Sequence, residues 1–403
     1  MKASVSAVPR AVWVLGFVSL FMDLSSEIIH ALLPLFLTTT LGVSVAVVGA
    51  IDGVAEATAS ITKVFSGYIS DRMGKRRPLI LIGYGMAALT KPLFAIAGSA
   101  PLVLGARFAD RIGKGLRGAP RDALVADVTP PEIRGKAFGL RQSLDTIGAF
   151  AGPLLAIGLM IVFANDIRSV FWFAIIPAAI AVMLVLVAVE DAPIVTADAV
   201  ARVPVRIVDL KRLTRPFWEV TVIGVVFTMA RFSEAFLILK ASAEGLPLAL
   251  APMVLVVMNL VYAIGAYPAG RLSDRIPAKV LLATGMACLI VADLSLALVS
   301  GLLGAFAGIA LWGAHMALTQ GLLAKLVADH SPPELRGSAY GLFNLATGVT
   351  LLLASVIAGL VWVRLGANAT FLVGGGFSAI AIVLLFAFLR PTENSFSGSK
   401  RPH

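Results

Sequence analysis

Long apolar runs alternate with short polar connections along almost the whole chain. Runs of spanning length occupy 11–39, 44–66, 78–98, 101–126, 136–163, 167–188, 217–241, 246–270, 279–299, 301–327, 337–364 and 368–389. About 20 apolar residues suffice for a helix to cross a bilayer, so the pattern predicts an all-α membrane protein with twelve transmembrane helices. The one long polar connection, 189–216, carries Glu190, Asp191, Pro193 and Pro204. It divides an N-terminal six-helix bundle (1–188) from a C-terminal one (217–389), and a polar tail follows at 390–403.

Composition agrees with a lipid-solvated chain. Of 403 residues, 59% are hydrophobic and 14% charged, too little polar surface to cover a soluble globule. The net charge of +10 calls for a nucleic-acid reading, but no basic patch on a water-soluble module accompanies it. Topology accounts for it instead. Lys2, Arg10, Arg72, Lys75, Arg76, Arg77, Arg134 and Lys136 fall on one set of connections, joined by the basic residues of the linker, Arg271, Arg275, Lys279, Lys325, Arg336 and the tail. Arg168, Lys240 and Arg364 stand on the other side. The positive-inside rule then places both termini and the linker in the cytoplasm, in the inner (cytoplasmic) membrane. The first run is too long for a signal-peptide core and carries Asp23 and Glu27, so it is read as a spanning helix. The single Cys288 excludes an internal disulfide.

Two stretches recur. Gly67-Tyr-Ile-Ser-Asp71-Arg72-Met-Gly74-Lys75-Arg76-Arg77 returns as Gly270-Arg-Leu-Ser-Asp274-Arg275-Ile-Pro277-Ala-Lys279, 203 residues on. Asp127-Val-Thr-Pro-Pro-Glu-Ile-Arg134-Gly135 returns as Asp329-His-Ser-Pro-Pro-Glu-Leu-Arg336-Gly337, 202 residues on. Two signals in matching positions imply two pseudo-symmetric halves, a common plan for secondary transporters.

The Gly67 to Arg77 loop resembles the signature between helices two and three of the major facilitator superfamily, and the Gly270 stretch resembles its degenerate repeat. The resemblance covers nearly the whole chain and implies the major facilitator fold. It also implies that Asp71 and the following basic residues latch the halves on the cytoplasmic side; plain topological anchoring is the alternative reading of the same charges. Pro277 replaces Gly74 in the second copy. Gly148-Ala-Phe-Ala-Gly152-Pro153 resembles the helix-five signature of the drug/proton antiporter branch, although small residues and proline also serve close packing. Arg111-Ile-Gly-Lys114-Gly115 resembles the helix-four signature linked to proton coupling, with Lys114 in place of the usual glutamine.

Charges inside helices are costly, each about 2.5–3.5 kcal/mol near a helix centre, and tend to line cavities. In helix four, Arg107, Asp110, Arg111, Lys114, Arg117, Arg121 and Asp122 fall within a stripe of roughly 140°. At the 202-residue offset, helix ten has Trp312, Gly313, Met316, Thr319, Leu323 and Ala324 where helix four has Asp110, Arg111, Lys114, Arg117, Arg121 and Asp122. The charge is therefore a property of one half. Asp23, Glu27 and His30 share a face of helix one; Asp52, Glu56 and Lys63 share one of helix two; Arg141 and Asp145 are four apart in helix five. Mutual neutralisation and transport chemistry both fit these groups. Arg231 and Glu234, three apart in a continuous helix seven, and Asp293 in helix nine are the sparse ions of the C-terminal half. Phe232, Trp312, His315, Gln320 and Asn344 could complete the cavity wall.

These readings predict a secondary transporter working by alternating access, leading to proton-coupled export of an anionic or amphipathic organic solute. Proton-coupled uptake of an organic anion is the alternative, and a membrane enzyme or non-transporting scaffold the alternative of another class. Asp23, Glu27 and Asp110 are the proton-coupling candidates; Arg107, Arg111, Lys114, Asp52, Glu56, Arg231 and Glu234 are the solute-binding ones. Gly67, Asp71, Arg72, Gly74, Arg76, Asp274 and Arg275 form the expected gate. No Gly-x-x-x-x-Gly-Lys-Ser/Thr loop supports ATP-driven pumping, and no metal spacing or nucleophile constellation supports catalysis. The expected partners are a small solute, protons and lipid, with no nucleic acid, no cofactor or metal, and a monomeric state.

Overall fold

Apolar runs bounded by Pro, Gly and charge become helices because lipid leaves the backbone no partner but itself. The computed structural model describes residues 8–73, 75–130, 133–191, 213–273, 276–332 and 335–388. The N-terminal half holds α1 (Arg10–Leu35), α2 (Val45–Met73), α3 (Arg77–Ile96), α4 (Ala100–Asp127), α5 (Arg134–Val162), α6 (Ile167–Phe173) and α7 (Ile175–Ala188). The C-terminal half holds α8 (Arg215–Ala230), α9 (Ala235–Ala243), α10 (Met253–Ser273), α11 (Ala278–Leu298), α12 (Gly301–Asp329), α13 (Arg336–Leu365) and α14 (Ala367–Phe388). Most of the linker and the tail lie outside the described residues.

Among the described residues, fourteen α-helices make twelve passes because two passes are interrupted. Pro177 separates α6 from α7: its ring cannot tolerate the carbonyl four residues back. Ser25 Oγ, 2.6 Å from the Ala174 carbonyl, takes up the acceptor at that interruption. The seventh pass, expected as one helix over 217–241, is also broken, at Arg231–Glu234. No proline lies there. Side chains serve the released backbone groups: Ser355 Oγ accepts from the Ser233 amide at 3.2 Å and Ser233 Oγ from the Ala235 amide at 3.1 Å. Arg231 and Glu234 therefore do not share a helical face as expected.

Among the described residues, eleven segments are long and apolar enough to cross a membrane. The twelfth pass is α4, 28 residues long, whose ions place it outside that count. Within the halves, α1 packs on α5, α3 on α4, α10 on α12 and α11 on α12 and α14. The helix-five motif forms one of these seams. A methyl group on Gly152 would lie 2.6 Å from Glu27 Cβ, and one on Gly148 would overlap the Leu20 carbonyl.

Between the halves, α2 packs on α13 and α5 on α10. Gly359 receives Ala46, Gly53 receives Leu352, and Gly348 receives Ser60, whereas a methyl on Gly341 would be 3.9 Å from Val64. The helices thus diverge toward the face bearing the basic connections. At the opposite face, Leu32, Phe36, Val48 and Ile51 share one continuous apolar core with Phe236, Leu237, Ala354 and Ala358. The molecule is sealed at that end.

Polar clasps tie the loops of the sealed face. Arg168 donates to the carbonyls of Ala95 at 2.8 Å and Ala97 at 2.7 Å. Glu244 accepts from Lys240 Nζ and from the Gly301 amide, each at 2.5 Å. These two donors hold the Glu244 carboxyl below its ordinary pKa, the lysine contributing more. At the α6 start, Asp166 accepts from Ser169 Oγ at 2.6 Å, which lowers its pKa likewise.

A charged cavity between the two halves

The divergence of the halves leaves a cavity of about 450 Å³, within the usual range for small-molecule sites. From the N-terminal half it is lined by Glu27, His30, Asp52, Glu56, Arg111 and Lys114; from the other half by Arg231, Phe232, Ser233, Glu234, Trp312 and Met316. The interrupted seventh pass therefore supplies four consecutive wall residues, irregular backbone being tolerated at membrane depth where it lines a cavity.

Most of the ionic stripe of α4 is spoken for. Arg107 Nη2 is 3.3 Å from Asp52 Oδ1 and buried behind the wall. Arg111 Nη1 is 3.2 Å from Glu56 Oε1, with its Nε 3.8 Å from Asp110 Oδ2. Asp110 itself meets Lys91 Nζ at 3.0 Å, and that ammonium also donates to Ser26 Oγ at 3.0 Å. Toward the basic face, Arg117 stacks 4.6 Å above the Tyr84 ring, and Arg121 lies 3.2 Å from Asp122 and 3.6 Å from Asp145. On α1, Glu27 Oε2 meets His30 Nδ1 at 3.2 Å. A buried charge without such a partner would be strongly destabilising.

Three wall charges remain. Among the described residues, Lys114, Arg231 and Glu234 line the cavity with no ion pair of their own. Lys114 is exposed within it, and Arg231 rests 5.6 Å from the Phe227 ring. One cation comes from each half, and the carboxylate comes from the broken pass.

Asp23 lies outside the cavity wall, on α1, the helix that packs on α5 and its Asp145. Asp52 joins the halves: Ser233 Oγ donates to its Oδ2 at 2.8 Å. Of the expected gate, Arg76 donates to Ser70 Oγ at 2.8 Å and Asp127 Oδ2 at 3.3 Å, and its amide donates to Asp191, at the start of the linker, at 2.7 Å. A methyl group on Gly67 would meet Ala119 Cβ at 3.4 Å, and Arg72 is exposed. Gly74, Asp274, Arg275 and the Asp71 side chain lie outside the described residues.

Lys91, Ser233, Asn259 and Thr347 were not anticipated. Lys91 had a signal, a lone cation inside an apolar run; the three neutral residues had none. His315, expected on the wall, is fully buried behind it against Trp312 and Phe227. Gln320 and Asn344 also stand apart from the lining.

The Major Facilitator Superfamily profile matches residues 15–350 and 242–403. The chain belongs to that family. It is 30% identical to an uncharacterized MFS-type transporter of Methanocaldococcus jannaschii over 382 residues, 93% of this chain and 94% of that protein. A multidrug resistance protein MdtH of Photorhabdus laumondii is 30% identical over 156 residues, 39% of this chain and 38% of that one. A crystal structure of a POT family transporter in complex with 5-aminolevulinic acid superposes with TM-score 0.78 at 13% identity, covering 94% of this chain and 95% of the other. The human organic anion transporter MFSD10 superposes with TM-score 0.64 at 19% identity, covering 93% and 99%. As a major facilitator the chain is a multi-pass membrane transporter and not an enzyme.

Proposed function

We propose that the protein is a proton-coupled exporter of small organic solutes that carry a carboxylate beside an apolar or amine-bearing body. The observation that carries this reading is the pair of unmatched cations, Lys114 and Arg231, on opposite walls of one cavity. A solute carboxylate between them is attracted by both halves at once, so its binding favours a conformation in which they approach. Glu234 takes a donor or amine of the same solute. Phe232, Trp312 and Met316 supply apolar and adaptable surface.

The proton is carried at Asp23. Glu27 and Asp110 sit in ion pairs with His30 and with Lys91, whereas Asp23 has no ion pair among the described residues. Asp23 lies one helical turn before Glu27, and Glu27 and Lys114 line the same cavity, so a solute that engages Lys114 alters the charge felt at Asp23. This links solute to proton without direct contact. In this reading the basic face is cytoplasmic, the cavity is open toward the cytoplasm, and Arg76 with its neighbours forms the latch of the opposite conformation. Export is supported by the helix-five motif and by the name of the MdtH relative. The same charges would serve uptake.

The test is flux in proteoliposomes of the purified chain under an imposed pH gradient, with a panel of monocarboxylates, amino acids and amphipathic anions. Gradient-driven movement of carboxylate solutes, lost in Asp23→Asn, is expected. Gradient-independent flux in both proteins would overturn the coupling. No flux of any panel member would overturn the substrate class.

A further inference from the structure

Helices α2 and α4 run side by side in a register of 55 residues. Asp52 pairs with Arg107 at 3.3 Å, and Glu56 with Arg111 at 3.2 Å. Gly115 keeps the two backbones close beyond these rungs. A methyl group on it would lie 2.5 Å from Thr62 Cβ and 2.8 Å from the Ala59 carbonyl oxygen, and Ser66 Oγ donates to the Gly115 carbonyl at 2.8 Å. At the same offset the next two rungs are Ala59 with Lys114 and Lys63 with Gly118. Here the acid and arginine pairing stops. Each of these rungs carries one lysine, first from α4 and then from α2, opposite a residue with no charge to offer.

Lys63 is seated as the register requires. A methyl group placed on Gly118 would be 3.8 Å from Lys63 Cε and 3.9 Å from its Cδ, so the lysine stem runs along the bare glycine. Glu56 and Ser60 line the solute cavity, and Lys63 follows them on the same face of α2. It therefore stands beyond Lys114 on the way from the cavity to the basic face. Lys63 is exposed and, among the described residues, has no ion pair and no side-chain hydrogen bond. The next acid along α4, Asp122, is held by Arg121 at 3.2 Å and Arg141 at 3.7 Å. A lysine that holds the bundle together takes a carboxylate of the bundle, as Lys91 takes Asp110. Lys114 and Lys63 take none, and their rungs are one helical turn apart, roughly 6 Å along the axis.

We propose that Lys63 is a second anion-binding residue and that the preferred solutes are diacids, with one carboxylate at Lys114 and a second acidic group at Lys63. This rests on the reading of Lys114 as a carboxylate site and narrows the solute class. An ammonium on a flexible stem is a point charge rather than a planar fork, so two of them select for charge number and spacing. Short dicarboxylates and acidic amino acids meet that requirement. The amino acids also bring the amine that Glu234 takes.

Isothermal titration of the purified full chain compares two matched pairs that differ by one acidic group: succinate with butyrate, and glutamate with glutamine. The diacid of each pair is expected to bind about 5- to 10-fold more tightly, the worth of one added ion pair at a partly hydrated site. Lys63→Gln should abolish that advantage and leave the monoacids unchanged, while Lys63→Arg keeps it. Gly118→Asp, which completes the fourth rung from within, should abolish it as well. Equal affinities within each pair in the unmodified chain overturn the proposal. So does a diacid advantage that survives in Lys63→Gln or Gly118→Asp, which is what a lysine acting only as a cytoplasmic anchor predicts. An equal loss of monoacid and diacid binding in Lys63→Gln overturns it too. In the first two cases, binding of the monoacids leaves Lys114 standing as a carboxylate site; if no acid of either pair binds, that reading fails together with this one.

Discussion

Lys91 and Asp293 occupy equivalent places in the two halves and have opposite fates. The first is one member of a buried pair with Asp110, 3.0 Å apart; the second is a buried carboxylate with no hydrogen-bond partner among the described residues. The same framework position can therefore hold charge as structure or as an open valence. The contrast extends to the cavity, where the N-terminal half neutralises nearly all its ions internally and the C-terminal half presents Arg231 and Glu234 from a broken helix. Charge density alone does not mark the chemistry. What marks it is charge left without a partner.

The largest effect should come from breaking the paired member of this comparison. Lys91→Met strands Asp110 beside a more distant Arg111, and loss of one partner of a buried pair costs about 3–5 kcal/mol. Thermal unfolding in detergent should show a clear drop. Asp293→Asn breaks no pair and should unfold near the wild-type temperature. If the two variants fall equally, the distinction between structural and open charge fails.

Next in size are the cavity charges. Lys114→Ala and Arg231→Ala each remove a charged hydrogen-bond donor worth about 1.5–3 kcal/mol, and so should weaken binding of a carboxylate solute by about 10- to 150-fold. Arg107→Ala should instead show up as lost stability, because Arg107 sits behind the wall on Asp52. Isothermal titration and unfolding, run on all three, separate the two kinds of cation.

The seams provide a smaller effect. Gly148→Ala pushes a methyl into the Leu20 carbonyl where α1 and α5 touch, and overpacking of this kind costs about 1–3 kcal/mol. Gly85→Ala, at a glycine with open space around it, should be neutral in the same unfolding assay. The smallest effect belongs to Glu244→Gln on the sealed face. Because the folded pKa of Glu244 is depressed, its stabilisation is complete above the unfolded value, about 4.3. It is lost as pH falls through the lower folded value. The variant should unfold slightly below wild type at pH 7, and the gap should close in acid.

Much of this was legible in the sequence. Apolar run length gave the passes, the duplicated loops at Gly67 and Asp127 gave the two halves, and the ions of α4 pointed to the cavity. The pairing of those ions was not legible, since Lys91 and Asp110, or Asp52 and Arg107, meet only through helix packing. The break at Arg231–Glu234 was hidden for a different reason. No proline or glycine marks it, and the groups that hold it open, Ser355 and Asp52, come from distant helices. Helix-five glycines were visible, but only the packing shows that Gly152 makes room for the Glu27 side chain.

The central claim is that the α4 ions chiefly build the framework while Lys114 reads the solute. The most direct test is carboxylate flux per folded molecule in proteoliposomes, comparing Lys114→Gln with the double variant Lys91→Met/Asp110→Leu. The double variant removes a pair together, a change that is often neutral for stability. It should retain flux, and Lys114→Gln should lose it. Flux surviving in Lys114→Gln and disappearing in the double variant would contradict the account.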